Sequence, residues 1–199
     1  ASGLKYGEFL KKEFFEPLGM KDTGFFVPGE KLDRLAVTYE QTDGEIKEYR
    51  ENSLGIRFAM DVPPAYEAGG AGLVSTIDDY SRFAVMLLNK GNFHGKQILK
   101  PGTVEYMTSH RLTGCQQDWF DKWWEMNGYS YGNLMRVMTD SWKAPFAASE
   151  GEYGWDGWLG CYFANLPKEN MTILMMMQKK DAGTFDLTRK LRNVMLLGM

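Results

Sequence analysis

The chain has 199 residues, a formal net charge of −3, 44% hydrophobic and 25% charged residues. This size suits one large or two small domains, and the mixed composition predicts a packed core rather than disorder. The small negative charge argues against nucleic acid as a partner. No apolar run reaches the roughly 18 residues of a membrane span, so none is predicted.

Few residues of the chain could hold a metal or a cofactor. The two cysteines, Cys115 and Cys161, and the two histidines, His94 and His110, lack the spacing of metal ligands. We expect free, buried thiols, no metal and no Ser/His/Asp triad, because both histidines lie in polar settings. The glycine run within 67–76 lacks the lysine of a phosphate-binding loop, so no cofactor is predicted.

Three helices are predicted in the first part of the chain. The first runs from residue 2 to about residue 16, with Ser2 suited to cap it and Pro17 as its stop. The second follows Thr76, which forms a capping-box pattern with Asp79, and ends at 90–91. The third spans 102–109 after Pro101, because proline suits a first helical turn.

Between and after these helices lie two non-helical stretches. Residues 34–49 are predicted as a hairpin around Asp43-Gly44, a strong two-residue turn signal. Residues 110–127 are predicted as a loop. Its aromatic side chains either line an apolar pocket over a cleft or form a small core under the loop. They are Trp119, Phe120, Trp123 and Trp124.

The remaining chain is predicted as strands followed by a closing helix. Residues 129–138 alternate like one strand, and 158–164 and 171–178 are two strands joined by a turn at 166–170. The last strand is almost wholly apolar, so we expect both its faces to be buried. The helix starts after Asp181 or Thr184. Its apolar stripe comprises Leu187, Leu191, Val194 and Met195.

Glycines recur at every third position at 151, 154, 157 and 160. Two interpretations stay open on this pattern alone. In the first, the glycines allow a neighbouring segment to pack tightly. In the second, they allow a ligand to approach the backbone closely or the backbone to adopt a positive φ.

Three stretches carry a family resemblance: EPLGM at 16–20 with Thr23, the run EAGGAGLVST at 67–76, and WDGWLGCYF at 155–163 with Pro167. They resemble segments of the serine β-lactamase-like hydrolases, namely class C β-lactamases, penicillin-binding DD-peptidases and family VIII carboxylesterases. The third stretch resembles their third active-site motif, and the resemblance covers nearly the whole chain.

The resemblance implies an α+β fold, part of a β-lactamase/transpeptidase-like fold with antiparallel strands and flanking helices. Residues 1–128 would form the helical and loop region beside the active-site cleft. Residues 129–199 would form the C-terminal strands and the closing helix.

It also implies a substrate-binding and oxyanion site at Trp155, Asp156, Gly157 and Trp158, on or just before an edge strand, with a backbone N–H facing an open groove. Two alignments stay open. The esterase type places Trp155-Asp156-Gly157 on the motif, with the Trp158 N–H as donor. The lactamase type places residues 152–154 there, with the Trp155 N–H as donor. The lysine of the lactamase motif is absent in both.

Acyl transfer in this family requires a serine with a lysine one helical turn later, and a tyrosine. The chain's Ser-x-x-Lys, Ser2 to Lys5, is terminal, and we expect it to be exposed and without a catalytic role. Tyr131-Gly132-Asn133 resembles the Tyr-x-Asn motif but stands where the family has a strand. The nucleophile, lysine and tyrosine are therefore expected before Ala1.

The resemblance therefore predicts the C-terminal portion of a serine hydrolase, inactive alone, whose substrate is a small or peptide-like ester or amide. An esterase or peptidase is favoured over a β-lactamase. The alternative is a non-catalytic binding module that works with a complementary chain. Self-association, or binding of a complementary N-terminal half, is expected.

Overall fold

The computed structural model describes residues 2–123, 126–182 and 185–198. Its first helix starts later and ends later than predicted. Helix α1 (Tyr6–Leu10) continues through a π-helical turn (Lys11–Phe15) into the short helix α2 (Glu16–Leu18). The Glu16 N–H donates to the Lys11 carbonyl five residues back. Pro17 follows this wider turn. Because proline has no N–H that would need an acceptor, it does not stop the helix here.

Gly19, with φ of 70°, ends this helical segment instead. The Met20 N–H donates to the Phe15 carbonyl at 2.8 Å, as in a Schellman turn. The prediction that Ser2 caps the helix is wrong, because the N-cap position is Lys5. The side chain that accepts at this end is the Glu67 carboxylate, 2.6 Å from the Gly7 nitrogen.

The predicted hairpin is confirmed as strands β1 (Tyr39–Thr42) and β2 (Glu45–Glu48), after a 3₁₀ turn at Gly29–Arg34. Asp43 and Gly44 have φ of 53° and 83°, which is why this dipeptide suits the turn. The hairpin joins a distant segment, because the Lys180 N–H donates to the Tyr39 carbonyl at 2.7 Å.

The second predicted helix is confirmed as α3 (Ile77–Leu88), and the Thr76 hydroxyl accepts from the Asp79 N–H at 3.2 Å. The Asp79 carboxylate does not complete a capping box with Thr76. It accepts from the Asp22 N–H at 2.6 Å and from the Thr23 hydroxyl at 2.9 Å, and so ties α3 to the segment after α2.

A small hairpin of β3 (Asn92–Phe93) and β4 (Lys96–Gln97) leads into helix α4 (Pro101–Thr108), which confirms the third predicted helix. The segment predicted as a loop then contains helix α5 (Cys115–Lys122). This helix begins after Gly114, and its polar composition conceals any clear apolar period. Trp124 lies outside the described residues.

The central element is a five-stranded antiparallel sheet in the order β5-β6-β7-β8-β9. The strands are β5 (Tyr129–Tyr131), β6 (Arg136–Met138), β7 (Tyr153–Asp156), β8 (Tyr162–Leu166) and β9 (Met171–Met175). A 3₁₀ turn, Ser141–Lys143, lies between β6 and β7.

Three predictions about the strands are corrected. Residues 129–138 form a hairpin rather than one strand, because the chain turns at Leu134, whose φ is 67°. The strand predicted at 158–164 is the second of two, β7 and β8, separated by a turn at 157–161. In β9 only Ile173 is buried, so burial of both faces is wrong for the described chain.

Helix α6 (Phe185–Leu197) closes the described chain. Thr184, one candidate cap, lies outside the described residues, and Asp181 precedes the helix by four positions. The helix buries Thr188 and Arg192, whereas Leu187 and Val194 of the predicted stripe are 49% and 71% exposed. None of the described helices is long and apolar enough to span a membrane.

The core lies between the sheet and the helices of the first half of the chain. Asn165 of β8 is fully buried, and its side-chain amide donates to the Ala84 carbonyl of α3 at 2.8 Å. The division of the chain into a region of residues 1–128 and a region of residues 129–199 stays a prediction. The main hydrophobic cluster includes Leu18, Met86, Leu87, Val137 and Phe163.

Candidate functional site

The predicted oxyanion stretch lies at the end of β7 and in the turn that follows. Its placement on an edge strand is wrong, because β7 pairs with β6 on one side and with β8 on the other. The pairing with β6 stops at Gly154, however, while the pairing with β8 continues to Asp156. The last part of β7 therefore has one side that β6 does not cover.

The backbone donors of this stretch differ in their partners. The Gly157 N–H donates to the Cys161 carbonyl at 2.6 Å, so Gly157 faces β8. Backbone N–H groups alternate in direction along a strand, so the Trp155 N–H also points towards β8. The Asp156 N–H points to the opposite side, which β6 does not reach. Within the described ranges, the Trp158 N–H has no hydrogen-bond partner.

The Trp155 side chain belongs to an aromatic cluster built from three distant segments. Its ring centroid lies 5.9 Å from that of Trp123 and 5.4 Å from that of Tyr131. Phe120 of α5 lies 5.8 Å from both Trp123 and Tyr131. Helix α5 and the residue directly after it thus place two of the predicted aromatic residues, Phe120 and Trp123, near the third motif. By contrast, Trp119 is 76% exposed.

The Trp158 side chain contacts the hairpin side of the molecule. Its ring lies 6.0 Å from the Tyr49 ring in a perpendicular arrangement, and its indole N–H donates to the Asp181 carboxylate. The Lys180 ammonium lies 4.8 Å from the Tyr49 ring centre. A hydrogen bond to the Glu40 carboxylate raises the Lys180 pKa. These contacts fix the indole without using the Trp158 backbone N–H.

Asp156 is engaged in a buried ion pair that the sequence did not reveal. Its carboxylate lies 2.7 Å from the Arg136 guanidinium, and the two side chains are 17% and 3% exposed. Burial acts to lower the Arg136 pKa, but the negative charge of Asp156 and the neighbouring groups raises it above its usual value. Arg136 therefore stays charged and holds the end of β7.

A second buried ion pair, Glu152 with Arg192, adjoins the first. The Tyr129 hydroxyl donates to Glu152, and Arg192 donates to the Tyr162 hydroxyl at 2.6 Å. Burial, followed by the charge of Glu152, raises the Tyr129 pKa well above its usual range. The opposing charges compensate each other inside the protein, which is the condition under which buried ions are tolerated.

The glycine pattern has more than one cause. At Gly154 an added Cβ would lie 1.9 Å from the Phe163 carbonyl oxygen, so only glycine allows β8 to approach. Gly160 has φ of 89°, which favours glycine in the turn. At Gly157 the nearest atom to an added Cβ is 3.4 Å away, an ordinary contact.

The other candidate residues stand apart from this site. Ser2 and Lys5 are exposed, as predicted, and both histidines are exposed. Both cysteines are free, as predicted, but neither is buried: Cys115 is exposed and Cys161 is partly exposed. No group of three His, Cys, Asp or Glu side chains that could hold a metal occurs in the described part of the chain.

The antiparallel sheet, its flanking helices and the turn after β7 define the class of β-lactamase and transpeptidase-like proteins. The β-lactamase family profile matches residues 1–194, and the chain belongs to that family. It is 30% identical over 177 residues to Protein Rv1367c of Mycobacterium tuberculosis, covering 86% of this chain and 43% of the relative. It is 26% identical to a putative D-alanyl-D-alanine carboxypeptidase of Escherichia coli, covering 93% of this chain and 42% of that protein.

Solved structures show the same fold. Simvastatin synthase (LovD) from Aspergillus terreus, in the LovD6 mutant, matches with a TM-score of 0.80 and 20% identity, covering 99% of this chain and 51% of that one. EstCE1, a hydrolase with promiscuous acyltransferase activity, matches with a TM-score of 0.74 and 21% identity, covering 96% and 50%. The chain thus spans about half the length of the proteins it resembles.

Proposed function

We propose that this chain supplies the oxyanion donor and one substrate-contacting wall of a serine hydrolase that works through an acyl-enzyme. The observation that carries the proposal is the Trp158 N–H, which lies in the turn directly after β7 and has no hydrogen-bond partner among the described residues. A preorganised backbone N–H is the group that stabilises the developing oxyanion in acyl transfer. Trp155, Asp156, Gly157 and Trp158 form this proposed site.

Of the two alignments of the third motif, the geometry favours the esterase type. In that alignment the donor is the Trp158 N–H, which has no partner among the described residues. In the lactamase type the donor would be the Trp155 N–H, which faces β8 and takes part in the ladder. A donor that is already bonded cannot stabilise an oxyanion without breaking a strand pair.

Asp156 has a positioning role in this proposal. Its carboxylate bonds Arg136 rather than facing an open site, so it holds the strand end from which the turn begins. The aromatic cluster around Trp155 would contact the apolar part of the substrate, because aromatic side chains provide large apolar contact areas. We therefore favour a small or peptide-like ester or amide with an apolar acyl group.

The nucleophile would come from a segment outside residues 1–199, in the same protein or in a complementary chain. Two of the matched proteins are described as a putative carboxypeptidase and as a hydrolase with acyltransferase activity, which agrees with acyl-transfer chemistry. On this proposal the 199-residue chain alone forms no acyl-enzyme. The whole protein that contains it does.

The test is covalent labelling by a fluorescent fluorophosphonate, followed by steady-state ester hydrolysis. We expect labelling of the whole protein and none of residues 1–199 alone. In the whole protein, Trp158→Pro deletes the backbone donor, and Trp158→Ala keeps it while removing the indole. The proline variant should lose roughly 10²–10³-fold in kcat relative to the alanine variant, with thermal unfolding as the check on folding.

Three results would each overturn a part of the proposal. Labelling of residues 1–199 alone would place a nucleophile inside the chain. A folded whole protein that neither labels nor hydrolyses any ester would favour the non-catalytic binding module. Equal kcat values for the two Trp158 variants would reject the backbone donor while leaving the family assignment intact.

A further inference from the structure

The turn at 157–161 is held by the segment that follows β9. This turn carries the Trp158 N–H, which is the proposed oxyanion donor. The Lys179 N–H donates to the Leu159 carbonyl at 3.0 Å, directly beside Trp158. The position of the donor therefore depends on a segment that is distant in sequence.

Asp181 anchors the side chain of Trp158. Its carboxylate accepts the indole N–H, and the Tyr49 ring contacts the same indole from the hairpin side, with 6.0 Å between the ring centres. A hydrogen bond prefers a nearly linear N–H···O angle, so this one sets the orientation of the indole. Because the side chain and the backbone nitrogen of Trp158 are attached to the same Cα, fixing the indole also restricts the direction of the backbone N–H.

Asp181 is itself held on the β1–β2 hairpin. The Lys180 N–H donates to the Tyr39 carbonyl at 2.7 Å, and the Lys180 ammonium lies 3.2 Å from the Glu40 carboxylate. Asp181 has a φ of 51°, a left-handed conformation that aspartate and asparagine adopt more readily than most residues do. A backbone that is already tied to the hairpin thus presents the carboxylate to Trp158.

We infer that Asp181 is a positioning residue for the oxyanion donor. In this role it contacts the Trp158 indole and acts on the reaction by keeping the Trp158 N–H aimed at the developing oxyanion. Donors that are aligned in advance are effective because they need no reorientation during the reaction. Asp181 lies outside the family motif at 155–163. The inference rests on the proposed function, since it requires the Trp158 N–H to be the donor.

Steady-state ester hydrolysis by the whole protein tests this role. Asp181→Gly removes the carboxylate and keeps a residue that favours a positive φ. It should lower kcat roughly tenfold and leave KM within about twofold, because the donor is misaligned while the substrate-contacting wall stays in place. Trp158→Phe removes the same hydrogen bond from the donor side and should lower kcat by a similar factor. In the double variant the two losses should not add, because both changes remove one interaction.

Two further variants are controls. Asp181→Asn keeps a side-chain carbonyl that can accept the indole N–H, and asparagine tolerates the same φ, so kcat should stay within about twofold of its original value. Asp43→Gly is the matched control. Asp43 is also exposed and has a φ of 53°, but it lies in the turn between β1 and β2. This change should leave kcat unaltered, and thermal unfolding checks the folding of every variant.

The inference is overturned if folded Asp181→Gly keeps the original kcat, or if its loss appears in KM instead. It is also overturned if the losses of Asp181→Gly and Trp158→Phe add fully, or if either control lowers kcat as much as Asp181→Gly does. If Asp181→Gly does not fold, an unchanged kcat of Trp158→Phe rejects the inference.

The failure of this inference is distinguishable from the failure of the proposed function. If Trp158→Pro is slower than Trp158→Ala while Asp181→Gly keeps the original kcat, the donor stands and the positioning role is rejected. Equal kcat values for Trp158→Pro and Trp158→Ala reject the donor and the positioning role together.

Discussion

Replacing Asp156 by asparagine tests whether the third motif is held by a buried charge. The substitution keeps the size of the side chain but removes the negative charge beside Arg136, 2.7 Å away. Arg136 is 3% exposed and cannot reach bulk water without breaking the sheet around it. Asp156→Asn therefore leaves a buried cation with less compensating charge.

The expected loss of stability follows from the burial of the pair. Removing one partner of a buried ion pair costs about 3–5 kcal/mol. The lower end applies here, because Asp156 is 17% exposed and the Glu152 carboxylate also stabilises the charge of Arg136. We expect a loss of about 3 kcal/mol, which for a chain of this size lowers Tm by on the order of 10 °C.

Urea unfolding of the single and double variants measures this loss. The double variant, Arg136→Met with Asp156→Asn, should lose less free energy of unfolding than the sum of the losses of the two single variants, because it no longer contains the buried, uncompensated Arg136 charge. Glu45→Gln is the control. Glu45 lies 3.0 Å from Lys47 but both side chains are more than 60% exposed, so the change should stay within about 0.5 kcal/mol. A loss below about 1 kcal/mol for Asp156→Asn, or additive costs in the cycle, would refute the reasoning.

Three further predictions follow from other parts of the fold. Gly154→Ala should destabilise by at least about 2 kcal/mol in urea unfolding, since its Cβ would meet the Phe163 carbonyl at 1.9 Å; Gly102→Ala, with open space, should be neutral or stabilising. Hydrogen bonds from Arg34 and Lys31 lower the pKa of Asp22 to about 2. The ionised carboxylate therefore contributes its full stabilisation above the pKa of about 4 that it has in the unfolded chain, and this stabilisation is lost as the pH falls towards 2. Arg34 is 55% exposed, which limits the effect to at most about 1 kcal/mol, and Asp22→Asn should flatten the stability profile in that window. Light scattering should show species heavier than 22.7 kDa, because α6 exposes an apolar face; a monodisperse monomer with cooperative unfolding would contradict this.

The elements that the sequence predicted correctly depend on short-range signals. Thr76 caps α3 through an N–H three residues away, and Asp43-Gly44 turns β1 into β2 within four residues. Pro101 at the first turn of α4 acts in the same local way. Such signals depend on dihedral preferences and on hydrogen bonds inside one turn, so the sequence contains all that is needed to find them.

The elements that escaped prediction depend on distant contacts. Helix α5 has a polar sequence; its Phe120 packs against Tyr131 of β5, and Trp123, directly after the helix, packs against Trp155 of β7, so these residues do not mark a periodic apolar face. The partner of Asp156 is twenty positions away, on a neighbouring strand. The edge placement of the third motif, which the family resemblance implied, is wrong because β6 pairs with β7. A pattern within one segment cannot show which segment will lie beside it.

The two tryptophans of the third motif show how the difference between short-range signals and distant contacts affects function. They are three positions apart, yet Trp155 packs against aromatic residues from 120–131, while Trp158 contacts Tyr49 and Asp181. Their shared segment supplies the backbone donor, and the two distant sets of contacts determine what surrounds it. A family motif can therefore locate the proposed chemistry, whereas the side chains that would select a substrate come from regions that the motif does not include. We therefore expect substitutions at Trp123 or Tyr49 to alter the KM values of esters that differ in acyl size. The kcat for any one of these esters should change less.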